Sequence, residues 1–582
     1  MSFRAPIRDL ALALKIAGHP ALIGQSFSEL DEDTVAAVLQ AAGAFTQEEL
    51  APLNRVGDQV GAKYANGKVT AAPGFADAYR AFVAGGWNSL SADPEYGGQG
   101  LTKAMELAVF EMVHASNMAF GLCPMLTQGA IEALHLHGTE RQKQLVLPRL
   151  VSGEWTGTMN LTEPQAGSDL AAITTRAEPD GQGGYRLTGQ KIFITWGDHD
   201  AAENICHLVL ARLPDAPPGV KGISLFLAPK YLIDDAGQPG AANDLRPASI
   251  EHKLGIHGSP TCVMLFEGAR AELVGELNNG LAHMFVMMNA ARLQVGVQGV
   301  AIAERAFQQA LAFSQERRQG RAVWSAEYPA PLFGHPDVRR SLMLMKAKIE
   351  AARGICMTTG VLADRARLAP SEAERNAARA RQELLTPIAK AWSTDIGVEV
   401  ASLGVQIHGG MGFIEETGAA QYYRDARIAP IYEGANGIQA IDLIGRKVGM
   451  ENGAVMDALC ADVHATIEEL RGDAELKSVA ERLEAGVRAL ERATDWVIEN
   501  KGPNALAAAT PYLELAGDVI GGWMLARQAQ ATAGAADDWS RSKAALARLY
   551  AGQVLAGAPG LADGLMDGAA DLEAVTFEAL EA

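Results

Sequence analysis

Cysteine is scarce in this chain of 582 residues: Cys123, Cys206, Cys262, Cys356 and Cys460 are the only five, and they lie far apart. No CxxC pair and no Cys/His spacing of a zinc site occurs. So small and scattered a set excludes a disulfide framework and fits reduced thiols that serve as small buried hydrophobes. Long apolar runs are also missing, so no segment is expected to span a membrane. At the N-terminus Asp9 and Lys15 interrupt the apolar stretch around Leu10–Leu14, which makes a poor secretory signal and a better amphipathic helix. A cytoplasmic location is the expectation. Basic charge is in short supply, with 50 Lys and Arg against 69 Asp and Glu and a net charge of −19. Nucleic acid and anionic membrane are therefore disfavoured as main partners, because both require a basic face. Fixed-period repeats and low-complexity tracts are absent, and no GxGxxG follows a strand pattern.

What the chain does have is length and apolar content. With 48% hydrophobic residues and 20% charged ones it can bury a large core, and its length predicts three or four domains. Residues 1–155 read mainly as helix, with apolar spacing over Leu30–Phe45, Leu101–His114 and Leu134–Leu150. Thr139 is the expected cap before Glu140. Residues 156–275 change character. Thr174–Glu178 and Tyr185–Thr195 flank Asp180-Gly181-Gln182-Gly183-Gly184, a hairpin signal, and Ile205–Ala211, Gly222–Ala228 and Thr261–Phe266 are further strand-like runs. Helical periodicity returns over 276–448. Leu293, Val297, Val300 and Ala301 predict one face and Leu342, Met345, Ile349 and Ala352 another, while Pro387 is expected to start a helix through Trp392 and Ile396 to Val400. Residues 449–582 form an acidic helical extension with apolar stripes at Leu459, Val463, Ile467 and Leu470, and at Leu483, Val487, Leu490 and Val497. The expected class is α+β.

Four segments could carry chemistry. Met159-Asn160-Leu161-Thr162-Glu163-Pro164-Gln165-Ala166-Gly167-Ser168-Asp169 combines hydroxyls, glycine and a proline-set turn that can aim donors at a planar polar ligand, although on local physics alone a capped turn is the readier explanation. In Lys191–Gly197, Phe193 and Thr195 share one strand face, so an aromatic wall and a hydroxyl could meet one ligand, or simply half-bury a strand. Gln406-Ile407-His408-Gly409-Gly410 would let a pyrophosphate approach the backbone, although His408 is more readily a structural hydrogen-bonding group. Arg424–Gly434 is an apolar and aromatic approach that ends in Tyr432-Glu433-Gly434. A carboxylate there would serve as a base if desolvated, while a lone loop glutamate is ordinarily solvated.

Together these segments resemble, in order and spacing, the acyl-CoA dehydrogenase family over roughly residues 50–447. "GDHD" at Gly197–Asp200, "KLGIHGSPT" at Lys253–Thr261 and the long extension are similar to the branch of methylthiopropanoyl-CoA and large fatty acyl-CoA dehydrogenases. The resemblance implies an N-terminal helical domain, a middle β-barrel-like domain, a C-terminal four-helix domain and an extra helical domain. It further implies FAD bound by Met159, Leu161, Thr162, Ser168, Phe193 and Thr195, with Arg317, Gln406 and Gly410 on the nucleotide side. Ser168, Asn289, Arg292, Tyr432 and Gly434 are implied on the acyl-CoA side.

On that resemblance Glu433 removes the α-proton while the β-hydrogen leaves as hydride to flavin N5, and its main-chain N–H and a flavin hydroxyl hold the thioester carbonyl. The product would be a trans-2-enoyl-CoA, the electron acceptor an electron-transfer flavoprotein, and the assembly a homo-oligomer, most simply a dimer. Ala435 stands where many relatives carry Thr, Gly437 replaces a glutamine, and Glu316–Arg321 lacks a phenylalanine before its glycine, which weakens Gln319 as a cofactor residue. An oxidase that uses oxygen is the near alternative. Flavin-containing DNA-binding relatives of the alkylation response share the fold but use a basic C-terminal domain, whereas residues 449–582 are acidic.

Overall fold

The computed structural model describes residues 3–27 and 30–581. The chain divides into two compact units. One is Ala41–Gln294 with the short piece before Pro6, and the other is Pro6–Gln40 with Val295–Ala582.

In the first of these, helices Lys103–Ser116 and Met118–His137 are buried along almost their whole length, as their apolar sequences require. They meet at Asn117, whose side chain caps the second helix by accepting from the Phe120 N–H. Gly138 then separates Leu134 from the next helix, Glu140–Ser152. Thr139 begins that helix with a reciprocal capping box to Gln142. The expected hairpin forms, with Arg176–Pro179 antiparallel to Tyr185–Thr195. Asp180 closes its turn by accepting from the N–H groups of Gln182 and Gly184.

The strands close on themselves. Thr261–Val274 pairs with Tyr185–Thr195, which pairs with Arg176–Pro179. That strand meets Asn204–Arg212, which pairs with Ile223–Pro229, and the last strand returns to Thr261–Val274. This ring of pairing is the barrel-like element. Leu245–Ile250 adds to it beside Thr261–Val274, and Trp155–Asn160 beside Asn204–Arg212. Inward residues Leu187, Ile194, Val209, Phe226, Met264 and Phe266 make its core. Two strands of this sheet have no counterpart in the sequence reading. Trp155–Asn160 carries buried Thr156, Thr158 and Asn160 where an ordinary strand would alternate apolar residues, and Leu245–Ile250 contains a proline at a bulge.

The second unit is helical. Val297, on the part of helix Gly280–Glu316 that belongs to it, and Met345 and Ile349 on Pro336–Leu368 are buried as expected, as are both stripes of the extension; Leu293, in the first unit, is buried too. The expectation for Pro387 is corrected. Helix Glu372–His408 starts far earlier, at a capping box on Ser371, and Pro387 lies inside it. A proline there removes one backbone bond, but Leu384, Leu385, Ile388 and Ala389 on either side are all buried, and that packing outweighs the loss. Helix Pro503–Ala531 of the extension packs on Pro336–Leu368, Glu372–His408 and Asn436–Asp442. All five cysteines are buried and none forms a disulfide. Among the described residues no helix is long and apolar enough to cross a membrane.

Three acids and three bases are buried together in this unit. Lys346 Nζ lies 2.8 Å from Asp9, 3.3 Å from Glu304 and 3.0 Å from Glu350. Lys543 Nζ lies 2.7 Å from Asp9 and 3.0 Å from Glu350, and Arg353 is 3.0 Å from Glu304. The charges balance, and they tie the first helix and the extension to the long helices. Burial alone would raise the Asp9 pKa, but Lys346, Lys543 and Arg353 overcome it and hold the carboxyl well below the usual range. A depressed carboxylate contributes stability above its unfolded pKa and loses it as pH falls. Asp9→Asn is expected to cost about 3 kcal/mol at pH 7 by leaving buried lysines short of charge. Chemical unfolding of the variant beside the parent checks this.

Candidate active site

Strand Trp155–Asn160 delivers the chain into the Leu161–Asp169 loop, and buried charge fixes the shape of that loop. The fully buried Lys191 ammonium donates to Leu161 O at 2.9 Å and to Glu163 Oε1 at 2.8 Å. Glu163 also accepts from the N–H and hydroxyl of Thr174 at 2.6 and 2.9 Å, and from the Thr175 N–H at 3.0 Å. Burial would raise the Glu163 pKa, but Lys191 and these donors pull it down to about 2. Burial lowers the Lys191 pKa, to about 8, so both groups are charged at neutral pH. Glu163 is therefore the anchor of the loop. Around it Leu161 is nearly buried, Met159 and Thr162 are half-buried, and Ser168 is exposed.

Phe193 is 59% exposed, a costly placement for a large ring, while Ile194 beside it is buried and Thr195 half-buried. Phe193 and Thr195 thus share the outward face. A bulge falls here: Cys262 pairs with Ile194 but Met264 with Lys191, so the Phe193 strand carries one extra residue. Phe193 has φ 59° and Trp196 φ 52°, positive values that non-glycine residues adopt only when their surroundings impose them. Trp196 is pinned through its N–H to Pro260 O at 2.7 Å and through its indole to Ala119 O at 3.2 Å.

In the other unit, Arg317, Gln406 and Gly410 line one cavity of about 610 Å³ with Phe313, His408 and Gly409. A side chain at Gly409 or Gly410 would meet nothing within 4 Å, so the backbone there is open to a ligand. His408 stacks on Phe313, centroids 4.4 Å apart, and its Nδ1 bonds Gly404 O at 2.6 Å, the structural role its sequence context suggested. Its buried Nε2 has no hydrogen-bond partner in the structure. A cavity wall with open glycines and an orphaned polar atom fits a nucleotide that would satisfy that atom.

Glu433 lies in the same unit, half-buried on a loop closed by Tyr432 N–H to Ile428 O at 3.1 Å and Asn436 N–H to Pro430 O at 2.9 Å. Glu433 has φ 56° and Gly434 φ 85°, two consecutive left-handed residues. For glutamate that conformation costs on the order of 1–3 kcal/mol and requires outside support. Support comes from residues that sequence reasoning missed. Buried Lys390 donates to Gly434 O at 2.9 Å and to Asn436 Oδ1 at 2.8 Å, and Asn436 donates to Ala391 O, Thr394 Oγ1 and Asp395 Oδ1 at 3.0, 3.0 and 2.8 Å. Gln439 reaches the Glu433 and Gly434 carbonyls at 3.4 Å. A lysine inside the apolar run Thr386–Trp392 was the available signal. The Tyr432 hydroxyl donates to Gln298, and burial together with the neighbouring Glu433 charge pushes the phenol pKa upward. Asn289 and Arg292 belong to the other unit, where Arg292 donates to Asn289 at 3.2 Å. No group of acids, histidines and cysteines able to hold a metal occurs among the described residues.

Family models match nearly the whole chain: the acyl-CoA dehydrogenase N-terminal domain over 32–154, its middle domain over 158–269, its C-terminal domain over 278–449, and an acetyl-CoA dehydrogenase C-terminal-like domain over 459–576. The chain belongs to the acyl-CoA dehydrogenase family and is an oxidoreductase of that class. It is similar to the 3-methylmercaptopropionyl-CoA dehydrogenase of Ruegeria pomeroyi, 47% identical over 567 residues that cover 95% of this chain and 96% of the relative. Two solved structures share the fold. ACDH-11 of Caenorhabditis elegans in complex with C11-CoA has a TM-score of 0.79 at 21% identity and covers 95% of this chain and 92% of that one. An acyl-CoA dehydrogenase complexed with FAD from Bacillus anthracis has a TM-score of 0.74 at 21% identity, covering 94% and 90%.

The Glu163 anchor has a testable pH signature. Its folded pKa lies below its unfolded one, so its contribution is complete above about pH 4.5 and fades as pH falls toward 2. Glu163→Gln should cost about 3 kcal/mol at pH 7, where Lys191 loses its counter-charge. Urea unfolding of both proteins at descending pH should show the difference narrowing below about pH 4.5.

Proposed function

We propose that the protein dehydrogenates an acyl-CoA thioester between Cα and Cβ, with Glu433 as the base. The observation that carries this reading is the Glu433–Gly434 turn, a carboxylate held at positive φ by a buried lysine and by Asn436, whose side-chain amide is anchored on helix Glu372–His408. Strain maintained at such cost in a half-buried loop serves the aiming of the side chain more readily than it serves folding. The carboxylate takes the α-proton, made acidic by the thioester carbonyl, as the β-hydrogen departs with its electron pair, leaving a trans-2-enoyl-CoA. FAD, when bound, supplies the acceptor for that hydride.

Met159, Leu161, Thr162, Ser168, Phe193 and Thr195 would hold the flavin part of FAD, and Arg317, Gln406 and Gly410 the nucleotide part. The exposed Phe193 ring and the orphaned His408 Nε2 each suit a planar, hydrogen-bonding group. Asn289, Arg292, Tyr432 and Gly434 would meet the acyl-CoA. The 47% identity to a 3-methylmercaptopropionyl-CoA dehydrogenase over nearly the full length of both chains favours 3-(methylthio)propanoyl-CoA as substrate, with short or medium fatty acyl-CoAs behind it. Electron-transfer flavoprotein is the acceptor this class of chemistry calls for, and reduction of it by the turning-over enzyme without release of H2O2 would distinguish a dehydrogenase from an oxidase.

Glu433→Gln should retain FAD and bind substrate but reduce its flavin at least about 10³-fold more slowly. Anaerobic rapid mixing with acyl-CoA, following the flavin absorbance, measures this, and a wild-type rate in the variant removes the assignment. Across a panel of acyl-CoAs in the same assay, the methylthiopropanoyl thioester should bleach the flavin fastest. A clear maximum at long acyl chains would overturn the substrate reading.

A further inference from the structure

Helix Glu372–His408 is gripped on two sides at one turn. Toward the loop of Glu433 it offers Lys390, Thr394 and Asp395, the residues that hold Gly434 and Asn436. From the same turn Trp392 enters a notch in the extension helix Pro503–Ala531. The notch is cut by Gly517 and Gly521, one helical turn apart. A Cβ at Gly517 would come within 2.2 Å of the indole, so any larger residue there would displace the ring, and one at Gly521 would come within 3.0 Å of the indole and of the Tyr550 hydroxyl alike. Trp392 is 3% exposed, and its Nε1 donates to Asp518 Oδ1 at 3.1 Å. Asp518 is itself located by the buried Tyr550, whose hydroxyl donates to its main-chain carbonyl at 3.1 Å. Helix Asn436–Asp442, which begins three residues after Glu433, also packs directly on Pro503–Ala531.

We infer that Trp392 and Asp518 are positioning residues through which the C-terminal extension sets the aim of Glu433. The inference rests on the reading of Glu433 as the base. The route is short. Asp518 fixes the indole, the indole fixes the rotation of the 390–395 turn, and that turn fixes Lys390 and Thr394 against the strained loop. A displacement of about 1 Å at a reacting group can cost about a hundredfold in rate, so a small rotation of this turn suffices to matter. The chemistry of Asp518 agrees. Burial pushes its carboxyl up to about 7 and Glu514 and Glu399 add to the rise, while Trp392 and Lys348 oppose it. A group needed only to fill space between helices would not be an acid there.

The test uses the full-length, FAD-loaded protein. Trp392→Phe keeps the aromatic plug and deletes the donor, Asp518→Leu deletes the acceptor, and Asp518→Asn retains an acceptor. Flavin reduction by acyl-CoA is measured in single turnovers, with substrate affinity from spectral titration and thermal unfolding alongside. Trp392→Phe and Asp518→Leu should each slow reduction about tenfold with affinity changed less than twofold. The double variant should be no slower than either, and Asp518→Asn should approach the parent. Unchanged reduction in both single variants overturns the proposal. So does a loss that Asp518→Asn shares equally, or one that simply follows lost unfolding temperature or lost flavin. Glu433→Gln in the same series separates the two readings. Normal reduction in that variant sinks the base, whereas a dead Glu433→Gln beside a fully active Asp518→Leu sinks the coupling alone.

Discussion

Everything in the helical unit turns on keeping one glutamate in a backbone conformation it would not choose. Glu433 and Gly434 are both left-handed, a conformation that costs glutamate on the order of 1–3 kcal/mol. The hold comes from a buried lysine on a different helix. Lys390 satisfies its ammonium with the Gly434 carbonyl and the Asn436 side chain, so the loop solves the burial problem of the lysine while the lysine fixes the loop. Each constrains the other, and the loop is thereby tied to a helix.

The same logic recurs in the sheet-bearing unit. Lys191, fully buried, is satisfied by Glu163 and the Leu161 carbonyl, and the segment it organises carries the motif residues from Met159 to Ser168. In both places the segment that carries the motif residues is held by a buried cation from another element. The six-charge cluster around Asp9 uses the principle on a larger scale, binding the first helix and the extension to the long helices with no net charge left over. Such groups contribute little net stability when complete and cost several kcal/mol when one member is lost, so they select one arrangement of helices over its neighbours.

How much of this was legible in the sequence differs by feature. Periodicity located the long helices and both extension stripes, and the Asp180–Gly184 turn marked its hairpin. The motif segments led to the family. Features that depend on distant partners were not legible. Pro387 suggested a helix start because its cost is local, whereas the buried side chains that outweigh it belong to packing. Strand Trp155–Asn160 leaves no apolar alternation in the sequence because its buried Thr156, Thr158 and Asn160 find their partners in each other and in His199 and His207. The Phe193 bulge is a mismatch between two strands nearly 70 residues apart in sequence, and neither strand records it alone. Lys390 was visible only as an oddity, a charge inside an apolar run, until the Glu433 loop appeared beside it.

The extension illustrates the remaining gap. Its surface is acidic and its stripes are ordinary, so composition describes it as an appended helical layer. Packing says otherwise. Gly517 and Gly521 would weaken an isolated helix, since glycine costs about 1 kcal/mol relative to alanine in a helix interior. At Gly517 the indole occupies the space the missing side chain leaves, and at Gly521 the indole shares that space with the Tyr550 hydroxyl and Ala351. A tryptophan that merely sealed two layers would need no acceptor for its N–H beyond a main-chain carbonyl, the commonest one available. Here the acceptor is a half-buried carboxylate whose pKa burial raises, and the indole it holds lies within one turn of the residues that hold the Glu433 loop. A layer attached only for bulk stability would avoid the cost of that burial, whereas one whose register must be fixed against the strained Glu433–Gly434 loop has a physical reason to bear it.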